Sequence, residues 1–238
     1  MSNLDQLKIK IFADGADLDG ILELYKNEYI TGFTTNPTLM NKSGIKDYEG
    51  FARRLLEHIP DRPFSFEVFS DEFDEMERQA MKIASWGRNV YVKIPVTNTR
   101  RESAANLVKK LAGAGVQLNV TALMTLEQVS EISASLGNNV PSYISVFAGR
   151  IADTGRDPMP LMKRAVEIIS PHHKQEIIWA SPRELLNIFH AEEIGCHIIT
   201  VTHDILKKLS LVGKDLGDYS LDTVKMFRND AVNAGFSL

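Results

Sequence analysis

Residues 89–95 read Asn-Val-Tyr-Val-Lys-Ile-Pro, an apolar, β-branched and aromatic run with one charge inside it. A run of this length and kind reads as a strand. Seven more surround it: 8–13 (KIKIFA), 29–35 (YITGFTT), 63–69 (PFSFEVF), 116–122 (VQLNVTA), 142–148 (SYISVFA), 176–181 (EIIWAS) and 198–202 (IITVT). Between them lie stretches of helical periodicity, among them 51–57, 103–111, 161–169 and 182–192, the last opening on Pro182 where a helix accepts proline. Eight strands that each cross over through a helix imply parallel pairing, and eight is the number that closes into a (β/α)8 TIM barrel. The alternative, an open doubly wound α/β sheet, usually carries a glycine-rich turn after its first strand. Here that position reads Ala13-Asp14-Gly15-Ala16, which is not GxGxxG.

A repeat supports the barrel: Glu67, Lys93, Asn119 and Ser145 follow one another at intervals of 26 residues, each late in its strand. No Pro/Gly/Ser-rich linker interrupts the chain, so residues 1–238 are expected to form a single α/β barrel domain. Beyond the eighth strand, residues 219–236 read as an additional C-terminal helix. Val224, Phe227 and Val232 are its apolar anchors, to lie over the barrel or a neighbouring subunit.

Apolar residues make up 44% of the chain and charged residues 24%, values that exclude disordered and low-complexity classes. A formal charge of -4 gives no footprint for nucleic acid or an anionic membrane, which turns attention to small-molecule chemistry. Lys8 and Lys10 interrupt the one candidate leader segment, and no apolar run reaches membrane-spanning length, so a cytoplasmic protein is expected. Cys196 is the single cysteine and reads as a small buried hydrophobe. The six histidines include no HExxH; His172 and His173 are neighbours in a loop and His203 stands at the helix after the eighth strand. Neither metal nor organic cofactor is expected.

Barrel enzymes bind ligands at the carboxyl ends of their strands, and polar residues on the inward parity there are the candidates. Asp14 follows the first strand, Asn36 closes the second, Glu67 ends the third and Lys93 sits in the fourth. Asn119 and Thr121 share a face of the fifth; Ser145 and Arg150 come from the sixth, Ser181 and Arg183 from the seventh. Lys93 is the sharpest of these, because an ammonium in Val90-Tyr91-Val92-Lys93-Ile94-Pro95-Val96 is costly to desolvate. Desolvation favours the neutral amine, the nucleophile that condenses with a carbonyl to give a Schiff base. The competing reading is a lysine that snorkels to solvent or pairs with Asp14 or Glu67. Asp14 and Glu67 suit proton transfer, although a strand-end carboxylate serves equally as a helix cap. Asn36 and Asn119 suit hydroxyl recognition, Asn36 having a turn and cap before Pro37 as its alternative. Arg150 and Arg183 offer forked donors to a phosphate, with Ser181 adding a hydroxyl.

Four motifs, GFTTNPTLM at 32–40, YVKIPVT at 91–97, LNVTALMT at 118–125 and SVFAGRIAD at 145–153, resemble the transaldolase family in its short-chain branch, which includes fructose-6-phosphate aldolase-like enzymes. The resemblance implies that Lys93 forms the Schiff base and that Asp14 takes the proton from the hydroxyl of the cleaved bond. It implies that Glu67 works through a water held with Thr121. Asn36, Asn119 and Ser145 would hold the dihydroxyacetone unit, and Arg150, Ser181 and Arg183 the sugar phosphate. Glu67, Asn119 and Phe147 match the transferase pattern, whereas the aldolase subgroup would carry glutamine near position 67 and tyrosine near 147. Gly15 and Pro182 depart from the family's usual hydroxyl and aromatic residues. The implied activity is transfer of a dihydroxyacetone unit between sugar phosphates, as in the pentose phosphate pathway, by a homo-oligomer. The alternatives are cleavage that releases dihydroxyacetone, and a non-catalytic phosphosugar-binding barrel.

Overall fold

The computed structural model describes residues 4–237, which divide into two compact units, 8–206 and a second drawn from 4–7 and 207–237. In the larger unit eight parallel strands close into a barrel in sequence order: β1 (Lys10–Asp14), β2 (Ile30–Thr34), β3 (Phe64–Glu67), β4 (Val90–Pro95), β5 (Leu118–Leu123), β6 (Ser142–Val146), β7 (Gln175–Trp179) and β8 (Ile198–Thr202). The ring shuts where β1 pairs with β8 along its whole length, Lys10 opposite Ile198 through Asp14 opposite Thr202. Each of the eight expected strands is present, with ends moved by three residues or fewer.

Helices α1 (Leu18–Tyr25), α2 (Pro37–Lys42), α3 (Tyr48–His58), α4 (Phe73–Ala84), α5 (Ala105–Gly113), α6 (Leu126–Leu136), α7 (Ala148–Ala152), α8 (Met159–Ile169), α9 (Leu186–Glu193) and α10 (His203–Leu206) alternate with the strands. The long helices turn one stripe inward: α4 buries Met76, Ala80 and Ile83, and α5 buries Leu107, Val108, Leu111 and Ala112. Several helices, though not α4 or α5, start at a side chain that accepts orphan N–H groups, such as Asp17 for α1 and a reciprocal Thr125–Gln128 box for α6. The helix expected from 182 begins four residues later, at Leu186. Ser181 adopts a left-handed φ of 59°, and the chain must leave that turn before a helix can start. His203 is the first residue of α10. In the smaller unit α11 (Leu216–Asn233) is capped by Asp215 and has no buried residue, although it carries Leu216, Leu221, Val224, Phe227 and Val232. It lies about three residues ahead of the expected 219–236, because Asp215 accepts from the Gly217 and Asp218 N–H groups and fixes the start.

Inside the barrel, Phe12, Tyr91, Tyr143, Ile178, Ala180 and Ile198 pack into one apolar cluster. Tyr91 and Tyr143 stack at 4.1 Å between ring centroids and Phe12 meets Tyr143 edge-on at 5.7 Å. Phe12 lies flat over Gly32, where an added Cβ would come within 2.5 Å of the ring. This layer floors the barrel. Two residues further along β1, β4, β6 and β8, toward the carboxyl ends, the side chains are polar, Asp14, Lys93, Ser145 and Thr200, and Thr34, Ser65 and Asn119 join them by hydrogen bonds from β2, β3 and β5.

The β7–β8 seam is short, with Ile178 opposite Ile198 and Trp179 opposite Ile199. His197 reinforces it: its Nδ1 accepts from the Ile177 N–H at 3.2 Å while its carbonyl accepts from the Lys10 N–H at 3.0 Å. Burial holds the imidazole below its usual value of 6.5, with Lys10 acting in the same direction and Glu176 against it. A protonated ring cannot accept at Nδ1. The unfolded chain therefore takes up this proton first, so stability is full above pH 6.5 and is lost as pH falls through the depressed native value. Urea midpoints measured on both sides of pH 6.5 will drop on the acid side. In His197→Gln, whose carboxamide oxygen can take the same N–H, the profile will be flatter.

Candidate active site

Lys93 is buried in the centre of β4, directly across from Glu67 of β3 on one side and Asn119 of β5 on the other. The first three members of the 26-residue repeat are thus laddered neighbours, whereas Asn119 stands opposite Tyr143 and not Ser145. Lys93 Nζ lies 3.0 Å from Glu67 Oε2 and donates to the Thr35 carbonyl at 2.9 Å. The pairing with Glu67 is the one the sequence offers as an alternative, and it sets an acceptor against the amine without excluding chemistry there. The Glu67 backbone is held by Tyr48, whose hydroxyl donates to the Glu67 carbonyl at 2.9 Å and accepts from its N–H at 2.8 Å.

Asp14 ends β1, half-buried, and accepts from Thr34 Oγ1 at 2.8 Å; Thr34 in turn touches Thr200 Oγ1 at 2.6 Å. Burial raises the Asp14 pKa above the usual 3.8, against the pull of Lys93 and the Thr34 hydrogen bond, with Glu67 adding to the rise. A carboxylate so placed is a stronger base than one in water.

Asn119 is fully buried: its Nδ2 donates to Ser65 Oγ at 3.0 Å and its Oδ1 accepts from Ser145 Oγ at 2.7 Å. The ladder slips beside it, with Asn119 opposite Tyr143 but Leu123 opposite Val146, and Ala122 takes φ 67° in the extra space. Thr121 stands just before this bulge, and its buried Oγ1 finds no hydrogen-bond partner among the described residues; the same holds for Thr35 Oγ1. Unpaired buried hydroxyls are costly and mark places where a further polar group is wanted. Asn36 is half-buried and caps α2, its Oδ1 accepting from the Leu39 N–H at 3.0 Å. The cap reading of Asn36 therefore holds, and Nδ2 is the part of the side chain left for a ligand.

Arg150, on α7, lies 5.6 Å from the Phe147 ring centroid. Arg183 makes a two-point ion pair with Asp153, Nε to Oδ1 at 2.9 Å and Nη2 to Oδ2, and these guanidinium groups hold the Asp153 carboxyl below its usual range. α7 and the turn at Ser181 meet at Gly149, where an added Cβ would lie 1.6 Å from the Ser181 carbonyl oxygen. Lys93 meets Glu67 directly, Asn119 is its laddered neighbour, and Asp14 lies near enough for the charges of Lys93 and Glu67 to act on it; Arg150, Arg183 and Asp153 are exposed and, with half-buried Ser181, form a second cluster after β6 and β7. Thr34, Ser65, Thr200 and Tyr48 were not anticipated. Thr34 and Ser65 stand two residues before Asn36 and Glu67, the same inward parity, which is the signal that could have found them. Among the described residues no group of three or more His, Cys, Asp or Glu is placed to hold a metal, and no helix is long and apolar enough to cross a membrane.

The family model Transaldolase/Fructose-6-phosphate aldolase matches residues 11–238. A probable transaldolase of Dehalococcoides mccartyi is 33% identical over 84% of this chain and 90% of its own length. A probable transaldolase of a Thermoanaerobacter species is 32% identical over 97% of this chain and 100% of its own. Among solved structures, 3-keto-L-gulonate-6-phosphate decarboxylase from Vibrio cholerae shares the fold with a TM-score of 0.55 at 12% identity, covering 82% of this chain and 88% of its own.

The contact between Gly149 and Ser181 is backbone against Cβ, which no rotamer change relieves. Gly149→Ala is expected to cost about 3 kcal/mol or more and to lower the thermal midpoint by roughly 5–10 °C. A scanning melt of the variant beside the parent checks this.

Proposed function

The chain belongs to the Transaldolase/Fructose-6-phosphate aldolase family, and on that premise we propose that it moves a dihydroxyacetone unit from a ketose phosphate to an aldose phosphate through a Schiff base on Lys93. The observation that carries the reading is the buried Lys93 Nζ, 3.0 Å from Glu67 Oε2, with Asp14 on the same mouth. It is an enzyme of the transaldolase and aldolase class.

The Lys93 amine, having passed a proton to Glu67, attacks the ketose carbonyl; loss of water from the adduct gives the iminium. Asp14, made more basic by burial, takes the proton of the C4 hydroxyl. The C3–C4 bond breaks, its electron pair enters the iminium as an enamine, and an aldose phosphate leaves. Attack of the enamine on a second aldose phosphate and hydrolysis of the new imine complete the transfer. Thr121, with its unsatisfied hydroxyl, suits the water that Glu67 activates. Ser145, Asn119 and Asn36 suit the hydroxyls of the three-carbon unit. Arg150, Arg183 and Ser181 suit the phosphate, with Asp153 holding Arg183 ready. Glu67 and Phe147 favour transfer over release of free dihydroxyacetone. A homo-oligomer is part of the proposal, supported by the apolar side chains that α11 leaves exposed.

Borohydride added with fructose 6-phosphate is expected to give a covalent adduct on Lys93 by intact mass; a chain that binds the sugar phosphate with no adduct would be a binding protein. Dihydroxyacetone release at equal rates with and without erythrose 4-phosphate would make it an aldolase. Lys93→Ala will lose the adduct and all turnover while still folding. Its melting midpoint will fall, because Glu67 is left without its counter-charge.

A further inference from the structure

β2 and β3 are laddered only at Phe33–Phe64 and Thr34–Ser65. Beyond that, β2 turns away into α2, while β3 continues to Glu67. Along β3 the backbone groups alternate in direction: Val68 N–H donates toward β4, to the Lys93 carbonyl, and the Ser65 carbonyl accepts from Thr35 on the β2 side. The N–H and C=O of Glu67 therefore face the side from which β2 has departed. Left alone there, both would be unpaired in a part-buried position.

Tyr48, the first residue of α3, fills that gap with a single hydroxyl, 2.8 Å from the Glu67 nitrogen and 2.9 Å from its oxygen. The ring is fixed from three sides: Trp86 and Phe69 at 5.8 Å and Phe66 at 6.4 Å between centroids. The helix that carries it is pinned in turn, since Asp47 accepts from the Gly50 N–H at 2.9 Å. We propose that Tyr48 is a positioning residue for Glu67: its hydroxyl stands in for the missing strand and holds the carboxylate against the Lys93 amine. The inference rests on the Schiff-base reading, in which Glu67 moves protons to and from that amine. Burial pushes the phenol well above its usual range, so the hydroxyl stays protonated and can both donate and accept.

Tyr48→Phe keeps the ring and its packing and removes only the oxygen. Its kcat is expected to fall by about ten- to a hundredfold, the effect of a displaced catalytic group, with KM for fructose 6-phosphate within a factor of about two. In a Glu67→Gln background the same substitution should cost nothing further, since a positioning effect needs the carboxylate it positions. Hydrogen exchange at the Glu67 amide should be slow in the parent chain and faster in Tyr48→Phe. An unchanged kcat, a loss that persists in full in Glu67→Gln, or rapid exchange in the parent overturns the assignment. The exchange measurement on the parent decides the point even should Tyr48→Phe fail to fold. Failure of borohydride to trap the parent on Lys93 would instead remove the premise and the role with it, so the two failures are told apart.

Discussion

A buried ammonium and a half-buried carboxylate 3.0 Å apart persist only where the loss of water around them is offset. In this barrel the offset comes from geometry. Parallel pairing puts Glu67 and Lys93 at the same ladder level, so their side chains leave the sheet side by side. The second partner of the amine is a backbone carbonyl, Thr35, presented by the adjoining turn.

The rest of the interior divides by height. Aromatic and aliphatic side chains occupy the lower layer and supply the burial, while hydroxyls, amides and carboxyls occupy the layer above and consume one another's hydrogen-bonding capacity. Two chains run across strands there, Asp14 to Thr34 to Thr200, and Ser65 to Asn119 to Ser145. Such chains fix rotamers that a lone polar group could not hold. Among the described residues the Thr35 and Thr121 hydroxyls stay unmatched; the Thr35 carbonyl accepts from the amine, and Thr121 stands two residues beyond Asn119 on β5.

Much of this could be read beforehand, for a physical reason. Strands buried on both sides are β-branched and aromatic nearly throughout, so a lysine among them announces itself, as Lys93 does. The equal spacing of Glu67, Lys93 and Asn119 carried over into ladder register, but it failed at Ser145, since β5 and β6 pair from Leu118 opposite Ser142 onward, which sets Asn119 opposite Tyr143. Hydroxyl residues were harder to recognise, because Thr34, Ser65 and Thr200 look like ordinary strand residues until a partner is known. Tyr48 was beyond reach: its contact depends on β2 ending early, a tertiary event with no local trace. The late start of α9 has a similar origin, in the left-handed turn at Ser181 pressed against Gly149.

The stacked rings beneath the polar layer have one more implication. With Phe12 laid over Gly32 and against Tyr143, and Tyr91 stacked on Tyr143, the chamber is stoppered at its amino-terminal end. Substrates of the proposed transfer then reach Lys93 from the carboxyl-terminal mouth. In the proposed transfer the departing aldehyde and its successor must therefore use the same threshold in turn, which imposes an alternating order of exit and entry on the traffic before any chemistry is considered.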